Sequence, residues 1–564
     1  MQKLRVTSVS IQQLAIAAIG LVLLFSGERV AASRELEPAE RAQVDAALPQ
    51  RAPASPQKAR KLLVFDLNVN YGGHGSIPFA NYAFEQMGQR TGAYTTVVSR
   101  DPSVFARESL RQFDAVFLNN NVGNLFEDRV LRQNLADFVS GGGGLLGVHG
   151  TSVAFTKWPG GAEDWPEFGV MLGARGANHR AANERVFIRL EDPRHPLVAA
   201  FDSPGFEYQD EFFRYGDPYS RNRVRVLLSI DTVKTDLTQG VPPGHVERQD
   251  NDYALAWVRS YGRGRVFYCT IAHNPSVFCD ARMLQFYLAG IQFALGDLPA
   301  PTVPSGKLNA ATRAQETLGW RLGMDPREAP SQTLYQSIES ASNSGLLFVG
   351  GWSSQKVSSE LAKDFTAALG DDELTQIRLK LDSAAVRLLT YHVPELPGDA
   401  AECRRLFEFA RKMGIETLVV DTVPAALDAA ENLCDEFDTR LAIPGVSGGA
   451  GAQSIRPALE SCRDRSTRIG ISGDAGVWLK SGIDPVEAVR LAGARLFRLD
   501  LTGLEIGSPE PRDGDLAAQL LQEIHRLGVR PTLFAVDDPA RSSTVIPTVV
   551  PYFNQLTMKL AGGK

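Results

Sequence analysis

From Lys61 onward the chain alternates short apolar runs with polar or glycine-rich breaks. The runs "KLLVFDLN", "YTTVVSRD", "FDAVFLNNN" and "GLLGVHG" each have the length of a buried strand, and residues 78–89 and 128–138 between them carry helical spacing. Strand and helix in alternation predict a parallel sheet covered on both faces. "YALAWVRSYGRGRVFYCTI" predicts two strands joined as a hairpin at Gly262-Arg263-Gly264, and "ARMLQFYLAGIQFALG" an apolar helix capped at Gly296. The Pro-rich stretch 299–315 predicts a linker. A second series follows: "LGWRLG", "GLLFVGGW", "AVRLLTYHV", "IETLVVDTV", "TRLAIPGV", "RIGISGD", "ARLFRLDL" and "VRPTLFAVD", with helical stretches such as 400–413 and 515–527 between many of them. Eight such units predict a (β/α)₈ barrel. The fold class expected is therefore α/β: a doubly wound, flavodoxin-like domain followed by a TIM barrel.

The first residues follow a different pattern. Met1-Gln2-Lys3-Leu4-Arg5 is basic, 12–25 is mostly apolar, and Val30-Ala31-Ala32-Ser33 offers small residues. That order predicts a secretory signal peptide, with an uncleaved anchor as the alternative. The expected division is a signal peptide at 1–33, a loose lead-in at 34–60, the α/β domain at 61–298, the linker at 299–315, the barrel at 316–545 and a tail at 546–564. The expected location is periplasmic or extracellular.

Composition narrows the partners. The 564 residues exceed one core, and a formal net charge of −6 without a long basic run gives no electrostatic footprint for nucleic acid. Contact with a membrane is expected only if the N-terminal segment is retained. Five cysteines without CxxC spacing argue against a zinc ribbon or disulfide scaffold; oxidation of Cys269 with Cys279 stays open.

Candidate chemistry concentrates in the first domain, which holds six of the eight histidines: His74, His149, His179, His195, His245 and His273. "GGGGLLGVHGTS" reads as the sharp strand-to-turn elbow of α/β enzymes, with His149 where Ser or Cys usually stands. An imidazole has little packing use among glycines, which favours a functional role. His195 in "DPRHPL" either serves a site or braces a turn. His245 lies in a Pro/Gly-rich loop and reads as solvated. Asn119–Asn121 either face ligand or make Asx-turns. Asn70, Tyr71, Asn120, Trp158, Trp165, Asp210 and Glu211 accompany the histidines. Amides and carboxylates beside aromatic planes suit a polyhydroxylated ligand.

The pieces "NYGGHGSIPFA", "GGGLLGVHG", "GARGANH", "DPRHPL", "YQDEFF" and "GRGRVFYCTIAHN", in this order, resemble the trehalose-utilisation, or ThuA-like, family over 61–298. The resemblance implies a fold similar to class I glutamine amidotransferases. Those enzymes carry Cys within GxCxG; this chain reads Gly147-Val148-His149-Gly150-Thr151, so the thioester route to glutamine hydrolysis is closed. The expected catalytic groups are His149, His179, Asp210 and Glu211. The expected ligand contacts are His74, Asn70, Tyr71, Asn120, Trp158 and His273. No cofactor is required, although a divalent ion such as zinc at the histidine cluster stays open. His74, His149, His179 and His273 are expected to line one crevice, with neighbouring carboxylates raising the histidine pKa values.

The segment "GISGDAGVWLKSGIDPVEAVRLAGARLFRLDL" resembles xylose-isomerase-like sugar phosphate isomerase/epimerase barrels, over about 318–538. Asp474, Gly476, Trp478, Asp484 and Pro485 match that pattern. Val477, Val446 and Ala535 stand where metal ligands are expected, Asp500 falls near another ligand position, and Asp421 is the acidic candidate at a strand end. The resemblance implies a degenerate barrel without isomerase-type metal, acting as a structural or sugar-binding partner. Two functions remain open: an enzyme acting on a glycoside, disaccharide or keto-sugar, which is favoured, and a non-catalytic saccharide-binding or scaffold protein. For the leader, N-terminal sequencing of the exported protein is expected to start near Ala32 or Ser33; an intact Met1 on membrane-bound protein would refute cleavage.

Overall fold

The computed structural model describes residues 34–238, 248–325, 332–446, 454–504, 506, 508, 510–511, 514–536 and 545–562. The expected signal segment and His245 lie outside them. The first domain contains β1 (Lys61–Phe65), β2 (Thr95–Ser99), β3 (Ala115–Asn119), β4 (Gly144–Val148), β5 (Arg175–His179), β6 (Glu184–Leu190), β7 (Gly205–Asp210), β8 (Phe213–Gly216), β9 (Arg225–Ile230), β10 (Ala254–Tyr261) and β11 (Gly264–Cys269). Nine of these form one sheet in the order β2-β1-β3-β4-β11-β10-β9-β6-β7, while β5 and β8 pair separately.

The first five strands in that order are parallel. Successive side chains on a strand point to opposite faces, and both faces here are buried. Leu62 and Val64 join one core with the helices Pro38–Ala47, Ile77–Thr91 and Ala281–Leu295; Leu63 and Phe65 join the other with Arg129–Ser140 and Pro166–Leu172. This double burial explains why the strands read as unbroken apolar runs. The remaining four strands are antiparallel. Strands β5 to β9 are not announced by the pattern: one-sided strands such as Glu184–Leu190 interleave Glu and Arg with their buried residues, and β9, although buried throughout, carries Arg225 and Ser229 in its short run.

The second domain is a closed parallel barrel of β12 (Leu322–Met324), β13 (Phe348–Trp352), β14 (Arg387–Val393), β15 (Thr417–Val420), β16 (Arg440–Pro444), β17 (Ile469–Asp474), β18 (Leu496–Asp500) and β19 (Leu533–Val536). All eight expected strands are present. Two segments outside the regular pattern correct the reading. The 34–60 segment is not merely loose: its helix Pro38–Ala47 buries Val44, with Leu36 and Leu48 on either flank, against the first core. The expected tail belongs to the helix Val545–Gly562, which packs on the helix Ala310–Leu318 and closes the barrel's outer layer. The latter helix also runs through the expected end of the linker at 315. All five cysteines are free. Among the described residues, no helix is long and apolar enough to cross a membrane.

The domains meet at the N-terminal ends of their strands. The turn between β10 and β11 enters the base of the barrel, where Arg387 Nε donates to the Gly262 carbonyl at 3.0 Å and Arg263 pairs with Asp438 at 2.8 Å. Gly414 is required there, since a Cβ would stand 2.5 Å from the Gly262 Cα. Beside this turn, buried Arg378 of the barrel donates through Nε to Glu167 at 2.8 Å, and Glu167 also accepts from the Tyr261 hydroxyl at 2.6 Å. Removing one partner of a buried pair strands the other charge. Arg378→Met is expected to cost about 3–5 kcal/mol, read as a lower unfolding midpoint by calorimetry; an unchanged midpoint would show that the pair does not couple the domains.

Candidate active site

His149 follows β4 directly and has φ +42°, a left-handed conformation uncommon for a side chain of this size. The elbow is held from several sides. The His149 carbonyl accepts from the Tyr268 hydroxyl at 2.7 Å and from Ser152 Oγ at 3.1 Å, while Thr151 Oγ1 donates to the Leu118 carbonyl at 2.9 Å. These bonds keep the imidazole at the C-terminal edge of the parallel strands, where open α/β sheets bind ligands.

His74 arrives from the loop after β1 and His273 from the loop after β11. The three rings are close: His74–His149 4.9 Å, His74–His273 5.3 Å and His149–His273 5.2 Å between centroids. Glu211, after β7, completes the floor. Its Oε1 lies 3.3 Å from His149 Nε2 and 3.1 Å from His179 Nδ1, and its Oε2 lies 3.7 Å from His273 Nε2. The Phe213 ring sits between His149 and His179, at 4.8 and 5.1 Å. The four expected histidines thus share one crevice. Its lip carries exposed Tyr71 and Trp158, whose rings are 5.8 Å apart, with Tyr71 5.3 Å from His74. Asn70 is exposed near the same lip, its amide nitrogen 3.3 Å from where a Gly160 Cβ would stand.

Other candidates have different places. Asp210 is fully buried, and its oxygens accept from the backbone amides of His273 at 3.1 Å and Asn274 at 2.8 Å. It fixes the His273 loop instead of standing beside Glu211 as a second reactive carboxylate. Asn120, expected at the ligand, is fully buried: it accepts from the Gly150 amide at 3.0 Å and donates to Ser76 Oγ and the Ala272 carbonyl. Asn119 and Asn121 are also buried: Asn119 ties the end of β3 to the helix Ile77–Thr91 through Asn81, and Asn121 donates to the Phe65 and Leu67 carbonyls at the end of β1. His195 resolves as a brace: its Nδ1 accepts from the Leu197 amide and its Nε2 lies 3.0 Å from the Pro301 carbonyl. Trp165 is buried in the second core.

The electrostatics divide the histidines. Burial, reinforced by the His149 and His273 charges, lowers His74 to about 3. Burial also lowers His149, outweighing Glu211. The expectation that carboxylates raise these histidines therefore fails where desolvation wins. It holds for half-exposed His179, raised by its hydrogen bond to Glu211. Burial alone would raise Glu211, but its contacts with His149 and His179 hold it well below the ordinary carboxylate range. Burial pushes Asp210 up to about 7 against its amide hydrogen bonds.

Residues 61–294 match the family model ThuA, described as trehalose utilisation. Residues 61–294 are a ThuA-like domain. Among solved structures, a protein from Parabacteroides distasonis is 20% identical, with 43% of this chain and 99% of that one covered and a TM-score of 0.36. A ThuA-like protein from Bacteroides uniformis is 19% identical, covering 43% and 94%, with a TM-score of 0.35. A 3-keto-D-glucoside 4-epimerase from E. coli is 11% identical, covering 42% and 99%, with a TM-score of 0.31. No curated protein matches the chain.

In the ThuA-like domain the amide that follows the elbow residue is not available to an oxyanion. Elbow enzymes use that N–H for the tetrahedral intermediate, and here Asn120 Oδ1 occupies the Gly150 amide. Absence of the thiol and closure of the amide agree.

The barrel mouth holds groups the sequence reading does not single out. Fully buried Asp325, just after β12, accepts from Arg498 Nε at 2.7 Å and from Trp352 Nε1 at 3.1 Å, and lies 2.9 Å from His392 Nε2. Trp352 stacks on His392 at 3.9 Å between centroids. Arg498 also donates to Asp500 at 3.0 Å. Asp474 accepts from the Val477 amide at 2.9 Å, as the N-cap of the helix Ala475–Lys480. Val477 is exposed, Val446 packs on the barrel core and Ala535 is buried inside the barrel. A guanidinium thus lies among the carboxylates at this mouth.

Burial alone would raise Asp325, but His392 and Arg498 hold it well below the ordinary carboxylate range. Its folded value is depressed, so its contribution is complete above the unfolded value of about 4 and is lost as pH falls toward the folded value. Asp325→Asn is therefore expected to destabilise the chain strongly at pH 7 and progressively less below about pH 4. Denaturant unfolding at both pH values checks this; an equal loss at each would refute it.

Proposed function

We propose that this protein is a carbohydrate-processing enzyme acting on a glycoside, disaccharide or keto-sugar through its ThuA-like domain. The observation that carries the reading is the composite crevice: a floor of His74, His149, His179, His273 and Glu211 beneath the exposed Tyr71–Trp158 pair. Aromatic faces cover the apolar side of a sugar ring, while imidazoles and a carboxylate exchange protons with its hydroxyl or carbonyl oxygens. His179 is half-exposed and oriented by Glu211, so it has both the access and the alignment for proton transfer. His149 is wholly buried, with its Nε2 turned toward Glu211. Acyl transfer is disfavoured by the histidine at the elbow and by the occupied Gly150 amide.

The barrel is read as a structural or sugar-binding partner, because Val477, Val446 and Ala535 stand where the resemblance expects metal ligands, and Arg498 and Asp325 neutralise one another at its mouth. The basic–apolar–small order of 1–33 supports action outside the cytoplasm. The test is turnover of a panel of disaccharides, glycosides and 3-keto-glycosides by the purified chain, followed by chromatography. Turnover is expected, falling by about 10²–10⁴ in His179→Ala, with KM raised in Trp158→Ala. Saccharide affinity with no product would overturn catalysis and leave a binding protein; neither affinity nor product would overturn the carbohydrate reading.

A further inference from the structure

His149 stands between two oxygens. Its Nδ1 is 3.0 Å from the Thr270 carbonyl and its Nε2 is 3.3 Å from Glu211 Oε1. A carbonyl cannot donate, and an ionised carboxylate cannot either. A neutral imidazole carries one proton, so each tautomer satisfies one oxygen and turns a lone pair on the other. Two states resolve the conflict: an imidazolium, or a neutral ring with a cation at one nitrogen.

The surroundings favour the second state. The Nδ1–H of His149 on Thr270 is the arrangement that fixes the ring of a metal ligand and frees Nε2. His273 repeats it: Nδ1 is 3.2 Å from Asn274 Oδ1, and Nε2 turns toward Glu211 Oε2. His149 Nε2, 3.3 Å from Glu211 Oε1, and His74 Nδ1 are both buried and make no hydrogen bond of good geometry. Such atoms in a packed interior call for a partner. One ligand atom each from His74, His149 and His273 lies within 4.8 Å of the others. Each histidine comes from a separate strand-end loop, and each loop is fixed independently. Asp210 pins the His273 loop, Tyr268 pins the elbow, and a Cβ on Gly150 would lie only 3.0 Å from His74 Cε1.

We propose that His74, His149 and His273 bind one zinc-class divalent ion, with the Glu211 carboxylate beside it as fourth ligand or counter-charge. Three imidazoles and a carboxylate match the nitrogen-and-oxygen set of zinc and neighbouring first-row ions, and not the all-oxygen preference of magnesium or calcium. A cation at this point neutralises Glu211 and supplies the proton-free positive charge that His149 Nε2 faces. It also lies in the crevice assigned above to saccharide, where a bound Lewis acid polarises a sugar carbonyl or hydroxyl. The site assignment extends the carbohydrate reading but does not depend on it.

The experiment uses the purified, untagged full chain. After chelator treatment and buffer exchange, the chain is titrated with Co²⁺ and separately with Zn²⁺, with no saccharide present. Binding is read from cobalt d–d absorption, calorimetry and elemental analysis. One equivalent per chain is expected, with the intense visible bands of low-coordinate cobalt. His273→Gln, at a partly exposed position that spares the core, is expected to weaken Zn²⁺ binding at least about a hundredfold, since even outer-shell changes cost 10–100-fold. His149→Gln is expected to do the same, its folding checked by circular dichroism. Asn274→Ala, which removes the Nδ1 acceptor, is expected to weaken binding by a smaller factor. No stoichiometric uptake, or uptake unchanged in His273→Gln, would overturn the site. A chain that binds one ion but converts no saccharide would overturn the proposed function alone. A chain that converts saccharide with no bound metal and no loss to chelator would overturn this inference alone.

Discussion

The carboxylate of Glu211 is the charge on which the crevice is organised. It is nearly buried, and His149, His179 and His273 all lie within 3.7 Å of it. A carboxylate in that position is costly unless positive charge or donors meet it. The rest of the edge follows from that need. Asp210, one residue earlier, anchors the backbone that carries His273; the elbow carries His149; β5 carries His179 to the open side. Glu211 thus links the antiparallel arm of the sheet to its parallel half, and the site exists only when both are folded.

The elbow has the geometry of a nucleophile turn without its chemistry. The left-handed residue, the strand before it and the short helix His149–Val153 after it are all there. The groups that make acyl transfer work are not: an imidazole stands at the turn, and the amide that would meet an oxyanion is bonded to Asn120. Strain at a strand-end turn persists only where its surroundings over-determine it. Here Tyr268, Ser152 and Thr151 do so, holding a ring whose use is at its Nε2 edge.

Much of this was legible in the sequence because doubly buried strands write themselves as apolar runs. Leu62 to Phe65 and Leu145 to Val148 leave no polar face to confuse the period. The eight barrel strands were legible for the same reason. The antiparallel pair between 184 and 210 was not, since Arg185, Arg189 and Glu207 lie on its solvent-facing positions and break the run. Among site residues, the histidines stood out because glycine-rich turns give an imidazole no packing role. Asn120 and Asp210 carry the same residue chemistry but serve the backbone, and only burial and partners separate the two uses. The barrel's Asp325, His392 and Arg498 were hidden because each sits in or beside an apolar strand. Their meaning depends on pairing across 173 residues between Asp325 and Arg498, which no local pattern reports.

The arrangement of the domains limits what the barrel can contribute. The β10–β11 turn and the starts of β14, β15 and β16 meet at the N-terminal ends of both sets of strands. Ligand sites of such sheets lie at the opposite, C-terminal ends. The histidine crevice and the Asp325–Arg498 mouth therefore open on opposite sides of the shared base. A substrate passing from one to the other must leave through solvent. At the barrel's mouth the charges of the buried Arg498–Asp325–His392 network are satisfied by one another, so a ligand that used any of them would have to break an ion pair held at zero exposure.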